Sequence, residues 1–242
     1  MMAENSEIPI IWQDDHLLVI NKPAGLLALA DGYNSSLPHV KTALPAHLGP
    51  LWIVHRLDRF TSGVMVLARN ASVHRQLNTQ FQDRKVKKVY IALVEGVPDW
   101  EQKVCTQPLR ENMGRKHRTI VDQLHGKPSV TRLKVLERFP GCSLIEANPE
   151  TGRRHQVRAH LACEGFPIAC DNLYGSGLNI FQAVDWAAMD QVGMQILERP
   201  GLHALSIEFI HPETGKPSHF DAGYPGDFTL TLKLLRGNNP AS

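Results

Sequence analysis

The order of apolar and polar positions along the chain predicts a fold built mainly from short strands. Apolar stretches at 8–12 and 17–20 flank a turn-like Asp-Asp pair at 14–15, a pattern that predicts a hairpin. The apolar run at 63–68 is uninterrupted but short, which is typical of a fully buried strand. Alternation over 86–94 predicts another strand. The same reasoning predicts strands over 129–138, 142–147, 203–210 and 218–222.

Other stretches have the period of a helix. Apolar residues recur every fourth position from Val73 to Phe81, and Asn70 or Ser72 is available as the N-cap, which predicts a helix over 72–83. Two more helices are predicted over 154–164, closed by Gly165, and over 225–236. Strands interrupted by a few helices, without regular β-α-β alternation, predict an α+β fold with a mainly antiparallel mixed sheet flanked by helices.

The sequence shows no sign of a division into separate domains. It contains no internal repeat, no low-complexity tract and no long linker, so we expect a single domain over 1–242. Within this domain, 176–200 is expected to be a loop insertion with some helix.

The composition is that of a globular protein. Of 242 residues, 43% are hydrophobic and 21% are charged, which excludes a disordered or fibrous chain. The first residues carry neither a basic segment nor the apolar run of a signal peptide, and no stretch approaches the ~20 apolar residues of a membrane helix. The cysteines form no Cys-x-x-Cys pair, so we expect reduced thiols in a cytoplasmic protein.

The charge is unevenly distributed along the chain. Lys and Arg total 26 and Asp and Glu total 24, a net charge of only +2. Residues 84–158, however, carry 16 basic and 8 acidic residues, whereas 1–83 carry 6 and 7, and 159–242 carry 4 and 9. A basic central third indicates a polyanionic partner that binds one face of the protein. The alternative is that folding brings the three parts of the chain together, so that their different charges form no separate surfaces.

The segment 55–63 is the first candidate for chemistry. It reads His-Arg-Leu-Asp-Arg-Phe-Thr-Ser-Gly and leads into the predicted buried strand. An Asp in a loop usually bonds its own backbone, but Asp58 lies between Arg56 and Arg59, and nearby cations favour the ionised carboxylate. An ionised carboxylate suits a nucleophile or an electrostatic stabiliser. The residues of this segment alone leave both interpretations of Asp58 open.

The segment 150–161 is the second candidate, with the sequence Glu-Thr-Gly-Arg-Arg-His-Gln-Val-Arg-Ala-His-Leu. On a helix that begins near Arg154, the side chains of Arg154 and Arg158 share a face, while the opposite face is apolar. A helix amino end rich in Arg, His and Gln suits phosphate binding, and the alternative is a solvated basic helix. The candidates for phosphate contact are Arg153, Arg154 and His155.

The segment 84–90 concentrates cations at the start of a strand. Four cations in five positions are typical of phosphate contacts, which position a nucleic acid without reading its sequence. These cations are Arg84, Lys85, Lys87 and Lys88. Tyr90 follows on the strand, where it either belongs to the core or stacks on a base. Another basic cluster at 110–118 surrounds Gly114 and predicts a solvated loop or hairpin tip.

Together these segments resemble the RluA-type RNA pseudouridine synthases, through nearly the whole chain and in the same order. The matching stretches are Asn-Lys-Pro-Ala-Gly at 21–25, His-Arg-Leu-Asp-x-x-Thr-Ser-Gly at 55–63, Lys-x-Tyr-x-Ala at 88–92, Thr-Gly-Arg-x-His-Gln-aliphatic-Arg-x-His at 151–160, and shorter ones at 167–175, 202–204 and 211–212. The resemblance implies the pseudouridine synthase catalytic fold with a central active-site cleft, as one domain without a separate amino-terminal RNA-binding module.

The resemblance also implies roles for individual residues. Asp58 is the expected essential aspartate, Tyr90 is expected to stack on the target uracil and handle the proton at its carbon 5, and Arg158 is expected to pair with the aspartate. Arg56 resembles a residue that fills the stack vacated by the flipped nucleotide. The other candidates for RNA contact are Arg59, Arg84, Lys85, Lys87, Lys88, Arg153, Arg154 and His155.

The implied reaction isomerises uridine in ribosomal or transfer RNA to pseudouridine. Nothing is oxidised or hydrolysed, so we expect neither a cofactor nor a metal. The expected partner is a structured RNA, with no membrane contact, and the chain is expected to act as a monomer in the cytoplasm. The target uridine is not predicted, and 105–128 and 176–200 are the candidate specificity loops.

Two functions from other classes remain open at this point. One is an RNA-binding protein on the same scaffold that has lost catalysis, against which the intact catalytic set argues. The other is a metal-dependent hydrolase that uses His155, His160 and an acid. A zinc site formed by Cys163, Cys170 and one of these histidines fits no usual ligand spacing.

Overall fold

The computed structural model describes residues 8–176 and 197–237. The described strands and helices are, in chain order, β1 (Ile10–Gln13), β2 (Leu17–Lys22), α1 (Val40–Ala43), β3 (Trp52–Ile53), β4 (Ser62–Ala68), α2 (Ala71–Gln82), β5 (Lys87–Glu95), β6 (Gln102–Cys105), β7 (Leu109–Met113), β8 (Arg118–Val121), β9 (Thr131–Phe139), β10 (Cys142–Pro149), α3 (Gln156–Cys163), β11 (Leu202–Ile210), β12 (Pro217–Asp221) and α4 (Gly226–Gly237). Most of the insertion expected at 176–200 lies outside the described residues.

The chain divides into two compact units. The first lies within Met1–Lys88 and Ala204–Gly223, and the second within Val89–His203 and Tyr224–Ser242. The division passes through β5 and β11, since each strand begins in one unit and ends in the other.

The first unit is built on the strand order β1-β2-β4-β11, with β3 beside β4 and β12 beside β11. The predicted hairpin is confirmed as β1 and β2, and its turn is closed by Asp14, whose Oδ1 accepts hydrogen bonds from the N–H groups of His16 and Leu17, both at 2.7 Å. Every residue of β4 is buried, as its uninterrupted apolar run predicted. Val73 and Leu77 of α2 belong to the same buried cluster as the apolar residues of β4.

The second unit has the strand order β5-β10-β9-β6 and a separate two-stranded hairpin of β7 and β8. The apolar side of α3 packs against β5 and β10 in one buried cluster, to which Val157 and Leu161 contribute. On α4 the buried residues include Phe228, Leu232 and Leu235, the predicted apolar face. The registered strand pairs are antiparallel, and the predicted α+β fold with a mainly antiparallel sheet is confirmed.

The sequence prediction was accurate for α2 and wrong for the start of α3. Asn70 caps α2 as predicted, because its side chain accepts a hydrogen bond from the N–H of Val73 at 2.9 Å. In contrast, α3 begins at Gln156 and not near Arg154. The cause is His155, which has φ 53° and ψ 22°, a left-handed conformation that interrupts a helix. Arg154 therefore lies before α3 and shares no helical face with Arg158.

No helix in the described part of the chain combines the length and the apolar character needed to cross a membrane.

Candidate active site

The loop that carries Asp58 is tied to the end of β2 by a buried lysine. The side chain of Lys22 is 0% exposed, and its ammonium group donates hydrogen bonds to the carbonyls of Pro23 and Leu26, both at 2.8 Å, and of Arg59 at 3.2 Å. Two more bonds join the same loops: the N–H of Gly25 donates to the carbonyl of Arg59 at 2.8 Å, and Arg59 Nε donates to the carbonyl of Gly25 at 3.1 Å. The segments 22–26 and 58–59 are thus fixed to each other.

Asp58 is half-buried in a turn that leads directly into β4. The N–H of Thr61 donates to the carbonyl of Asp58 at 3.1 Å, and Thr61 and Ser62 are themselves buried. The turn ends at Gly63, which has φ +119°, and a Cβ at this position would lie 2.1 Å from the carbonyl oxygen of Ala204. Only glycine fits here, because the φ angle and the close backbone both exclude a side chain.

His55 fastens the beginning of the same loop to the sheet. Its Nε2 accepts a hydrogen bond from the N–H of Val66 at 2.9 Å, and its ring stacks on Phe81 at a centroid distance of 5.0 Å. Burial and the nearby charge of Lys88 lower the pKa of His55 to about 3. The imidazole is therefore neutral, with its proton on Nδ1, and its role in this loop is structural.

The basic cluster at 84–88 is only partly available to a ligand. Lys85 pairs with Asp83 at 2.9 Å and Lys87 pairs with Glu208 at 2.7 Å, both at the surface. Exposed ion pairs of this kind contribute about 0–1 kcal/mol, so phosphate groups can displace the carboxylates. Arg84 is exposed, whereas Lys88 is half-buried, and burial lowers the pKa of Lys88 to about 8.

Tyr90 lies on β5 opposite Ala147 of β10. Its ring is half-buried and packs against the apolar cluster of the second unit, so both sequence interpretations of this residue, core and site, have a basis. Its position on a paired strand fixes its backbone, which is the preorganisation that a base-stacking residue needs.

Arg158 of α3 forms a bidentate ion pair with Asp171. Its Nε and Nη2 donate to the two carboxylate oxygens at 2.7 and 2.9 Å, and the Asp171 side chain is 0% exposed. The guanidinium also lies over the ring of Tyr174, with 5.0 Å between Cζ and the ring centroid. Asp171 and Tyr174 lie in the stretch 167–175 that resembles the family, but the sequence assigned neither residue a role.

The three candidates before α3 are held by the β7–β8 hairpin and its surroundings. Arg154 donates from Nη1 to the side-chain oxygen of Asn112 at 2.5 Å, and its backbone N–H donates to Glu111 Oε1 at 2.5 Å. His155 Nδ1 contacts the hydroxyl of Tyr174 at 3.0 Å. Arg153 Nη2 reaches the carbonyl of Pro128 at 3.4 Å. All three residues are half-buried, and their contacts shape the entry to α3.

Gln156 is a structural residue that the sequence did not reveal. Its Oε1 accepts hydrogen bonds from the Thr151 hydroxyl at 2.7 Å and from the N–H of Arg153 at 3.0 Å. Its Nε2 donates to the carbonyl of Val130 and to the hydroxyl of Thr131, both at 2.9 Å. One buried amide thus joins the Thr-Gly-Arg turn, which precedes α3, to the beginning of β9.

The histidines of the hydrolase hypothesis are engaged in other contacts. Both ring nitrogens of His160 are hydrogen-bonded, to the hydroxyl of Thr131 at 2.8 Å and to the carbonyl of Gln107 at 3.0 Å. Among the residues that the structure describes, no three His, Cys, Asp or Glu side chains are grouped so that they could hold a metal ion. The hydrolase hypothesis has no donor set there.

The predicted residues are thus divided between the two units, and in each unit paired strands or hydrogen-bonded loops hold them. The first unit contains Asp58, Arg56, Arg59 and the basic cluster, with Arg56 and Arg59 exposed beside the anchored turn. The second unit contains Tyr90 on β5 and Arg158 on α3, with 153–155 at the helix entry.

Comparison with known proteins finds pseudouridine synthases among the relatives of this chain. The chain matches the family profile described as RNA pseudouridylate synthase over residues 16–163. Ribosomal large subunit pseudouridine synthase D of Neisseria meningitidis serogroup B is 36% identical over 243 residues, which cover 97% of this chain and 63% of that protein. Ribosomal large subunit pseudouridine synthase C of Vibrio vulnificus is 39% identical over 230 residues, which cover 94% of this chain and 69% of that protein.

A solved structure shows the same similarity. Human RNA Pseudouridylate Synthase Domain Containing 4 superposes with a TM-score of 0.73 at 27% identity, covering 94% of this chain and 93% of that chain. The chain spans less than two thirds of the length of the Neisseria relative.

Proposed function

The chain belongs to the RNA pseudouridylate synthase family, and from this premise we propose that it is an isomerase that converts uridine in RNA to pseudouridine. The observation that carries the proposal is the family match itself, because residues 16–163 include Asp58, Tyr90 and Arg158 together with the anchored loop and the α3 entry. We propose that these three residues act together as the catalytic set.

The proposed substrate is large-subunit ribosomal RNA. The support is that the relatives with 36% and 39% identity carry the name of ribosomal large subunit pseudouridine synthases. The excess of basic residues over 84–158 fits a polyanionic partner of this kind. The names of these two relatives give no such support for transfer RNA.

In the proposed reaction the bond between C1′ of the ribose and N1 of uracil breaks, the base rotates, and a bond forms between C1′ and C5. The proton at C5 leaves and N1 gains a proton, so atoms balance without a cofactor. Asp58 acts on the sugar, either by attack on C1′ or by assisting formation of a glycal. Both routes need an ionised carboxylate beside a sugar that develops positive charge.

The other members of the set have distinct tasks. Arg158 is the proposed partner of the Asp58 carboxylate. Tyr90 stacks on the uracil and handles the proton at C5. The uridine must first leave its stack at a cost of a few kcal/mol, which phosphate contacts offset. Arg56, exposed beside Asp58, fills the space that the flipped nucleotide leaves.

We propose further that the chain works as a monomer in the cytoplasm. The four cysteines form no disulfide, and burial raises the pKa of Cys105 to about 12 and that of Cys142 to about 11. A chain whose cysteines stay reduced fits a reducing compartment.

The test is to map pseudouridine in ribosomal RNA of cells that lack this protein, and then in the same cells supplied with variants. We expect the wild-type chain and Asp15→Asn, an exposed carboxylate in the first unit, to restore the missing pseudouridine. We expect Asp58→Asn and Asp58→Ala to restore none. Restoration by Asp58→Ala would refute the assignment of Asp58. RNA binding without any pseudouridine from the wild-type chain would instead favour a binding protein.

A further inference from the structure

Arg158 is held from two directions within the second unit. Its edge is fixed by the two hydrogen bonds to Asp171, and its face lies over the ring of Tyr174. A planar guanidinium that is bound at one edge and covered on one face keeps a single orientation. Only 11% of the Arg158 side chain is exposed, so solvent contributes little to that orientation.

The Asp171 carboxylate is itself preorganised. Its Oδ1 accepts hydrogen bonds from the N–H groups of Leu173 at 2.9 Å and Tyr174 at 3.2 Å. The same turn is closed by the N–H of Gly175, which donates to the carbonyl of Asp171 at 2.8 Å. The carboxylate therefore keeps its position through backbone contacts and not only through Arg158.

The segment that leads to Asp171 is attached to the strand of Tyr90. The N–H of Ala169 donates to the carbonyl of Leu93 at 2.9 Å, and the N–H of Glu95 donates to the carbonyl of Pro167 at 2.8 Å. Since α3 also packs on this strand, the positions of Arg158 and of its partner carboxylate are both fixed relative to β5.

Tyr174 is fixed as firmly as Asp171. Its hydroxyl accepts a hydrogen bond from the N–H of Thr119 at 2.7 Å and contacts His155 Nδ1 at 3.0 Å. The guanidinium of Arg118 lies over the same ring, 5.2 Å from the centroid. The ring is thus held by the β7–β8 hairpin and the α3 entry, and it serves as a support for Arg158.

We infer that Asp171 is a positioning residue for the reaction, with Tyr174 as its support, and that it acts by holding the Arg158 guanidinium in the orientation in which Arg158 serves Asp58. This inference rests on the proposed function, since the task of Arg158 belongs to that proposal. The Asp171 side chain is 0% exposed, so the proposed action is through Arg158 and not by contact with the substrate. A displacement of about 1 Å at a catalytic group lowers a rate by as much as 10²-fold, which sets the effect expected from losing the anchor.

The test compares Asp171→Asn with Asp227→Asn in the full chain. Asparagine has the size of aspartate and keeps a side-chain oxygen that accepts hydrogen bonds from the backbone, but it loses the charge. Asp227 is the matched control, because it pairs with Arg199 in the same unit with nearly the same geometry, 2.7 and 3.0 Å, and has no part in the proposed catalysis. The substrate is large-subunit ribosomal RNA extracted from cells that lack this protein, and the product is counted as pseudouridine by mass spectrometry.

We expect Asp171→Asn to lower kcat by about 10- to 100-fold while KM and RNA affinity stay within about twofold, and Asp227→Asn to change none of them. In an Arg158→Ala background, Asp171→Asn should cause no further loss, since it acts through the missing guanidinium. Should Asp171→Asn not fold, Asp171→Glu replaces it, with a smaller loss of kcat expected.

The outcomes separate this inference from the proposed function. No pseudouridine from the wild-type chain would overturn both. With an active wild type, two results would overturn the positioning role alone and leave the proposed function standing. One is an unchanged kcat in Asp171→Asn. The other is a loss from Asp171→Asn that adds to the loss from Arg158→Ala.

Discussion

Replacing Gly63 by alanine tests whether the turn that carries Asp58 is built as described. A methyl group on this residue would lie 2.1 Å from the oxygen and 2.7 Å from the carbonyl carbon of Ala204, on the neighbouring strand β11. Because ordinary contact begins near 3.4 Å, backbone must move by about 1 Å between two paired strands in a region where every residue of β4 is buried.

The expected cost has two parts. Overpacking of this kind costs about 1–3 kcal/mol, and a φ of +119° adds about 1–3 kcal/mol of backbone strain for a residue with a Cβ. The sum, about 2–6 kcal/mol, corresponds to a fall in Tm on the order of 10 °C for a chain of this size. Gly215→Ala is the control, because Gly215 has φ +67° in the same unit but meets no atom within 4 Å. It should cost only about 1–2 kcal/mol.

The assay is urea unfolding followed by circular dichroism, with Tm from calorimetry as the second measurement. The difference between the two alanine variants contains the contact with Ala204 and the extra backbone strain of φ +119° over φ +67°. If Gly63→Ala were no more destabilising than Gly215→Ala, β4 and β11 would not approach each other as described, and the reason for glycine at the end of the Asp58 turn would be wrong.

Three further predictions concern charged groups. Lys22→Met leaves three carbonyls without their buried donor and should lower the free energy of unfolding by about 3 kcal/mol. Lys41→Met, at an exposed lysine, should change it little. Equal effects of the two variants in urea unfolding would contradict the role of Lys22 in fixing the Asp58 loop. Burial lowers the pKa of Lys88 from 10.5 to about 8, so the charged form of Lys88 destabilises the folded chain below about pH 8, and this destabilisation falls as the pH rises from about 8 toward 10.5. Lys88→Met should therefore raise the free energy of unfolding most near neutral pH and progressively less above about pH 8. A difference between the variant and the wild type that does not change with pH would contradict this. If the exposed tip of the β7–β8 hairpin contacts phosphate, alanine at Arg115 or Lys116 should each reduce the slope of log affinity for RNA against log salt by about 0.7–0.9, and an unchanged slope would exclude the tip from the RNA interface.

The elements that depend on local pattern were predictable from the sequence. The four-residue spacing with Asn70 as cap located α2, and the apolar run before Ala68 located β4, because neighbours in sequence determine both structures. The α3 start was not predictable in this way. It depends on the left-handed His155, which contacts a hydroxyl nineteen residues later, at Tyr174.

The residues that support the candidate site were missed for the same physical reason. Lys22 bonds a carbonyl at Arg59, and Arg158 pairs with Asp171, so each partner lies too far along the chain for a periodic pattern to show it. Lys22 and Asp171 both lie in stretches that resemble the family, but neither stretch shows which distant group its side chain bonds. The positions with chemistry, such as Asp58, were visible only because neighbouring cations and the family resemblance marked them.

The most direct test of the central claim is to incubate the purified chain with large-subunit ribosomal RNA from cells that lack it, without added cofactor, and to count pseudouridine by mass spectrometry. We predict new pseudouridine at a small number of fixed uridines, with none formed by the Asp58→Asn variant. RNA that is bound by the wild-type chain but gains no pseudouridine, or an equal yield from the variant, would contradict the account.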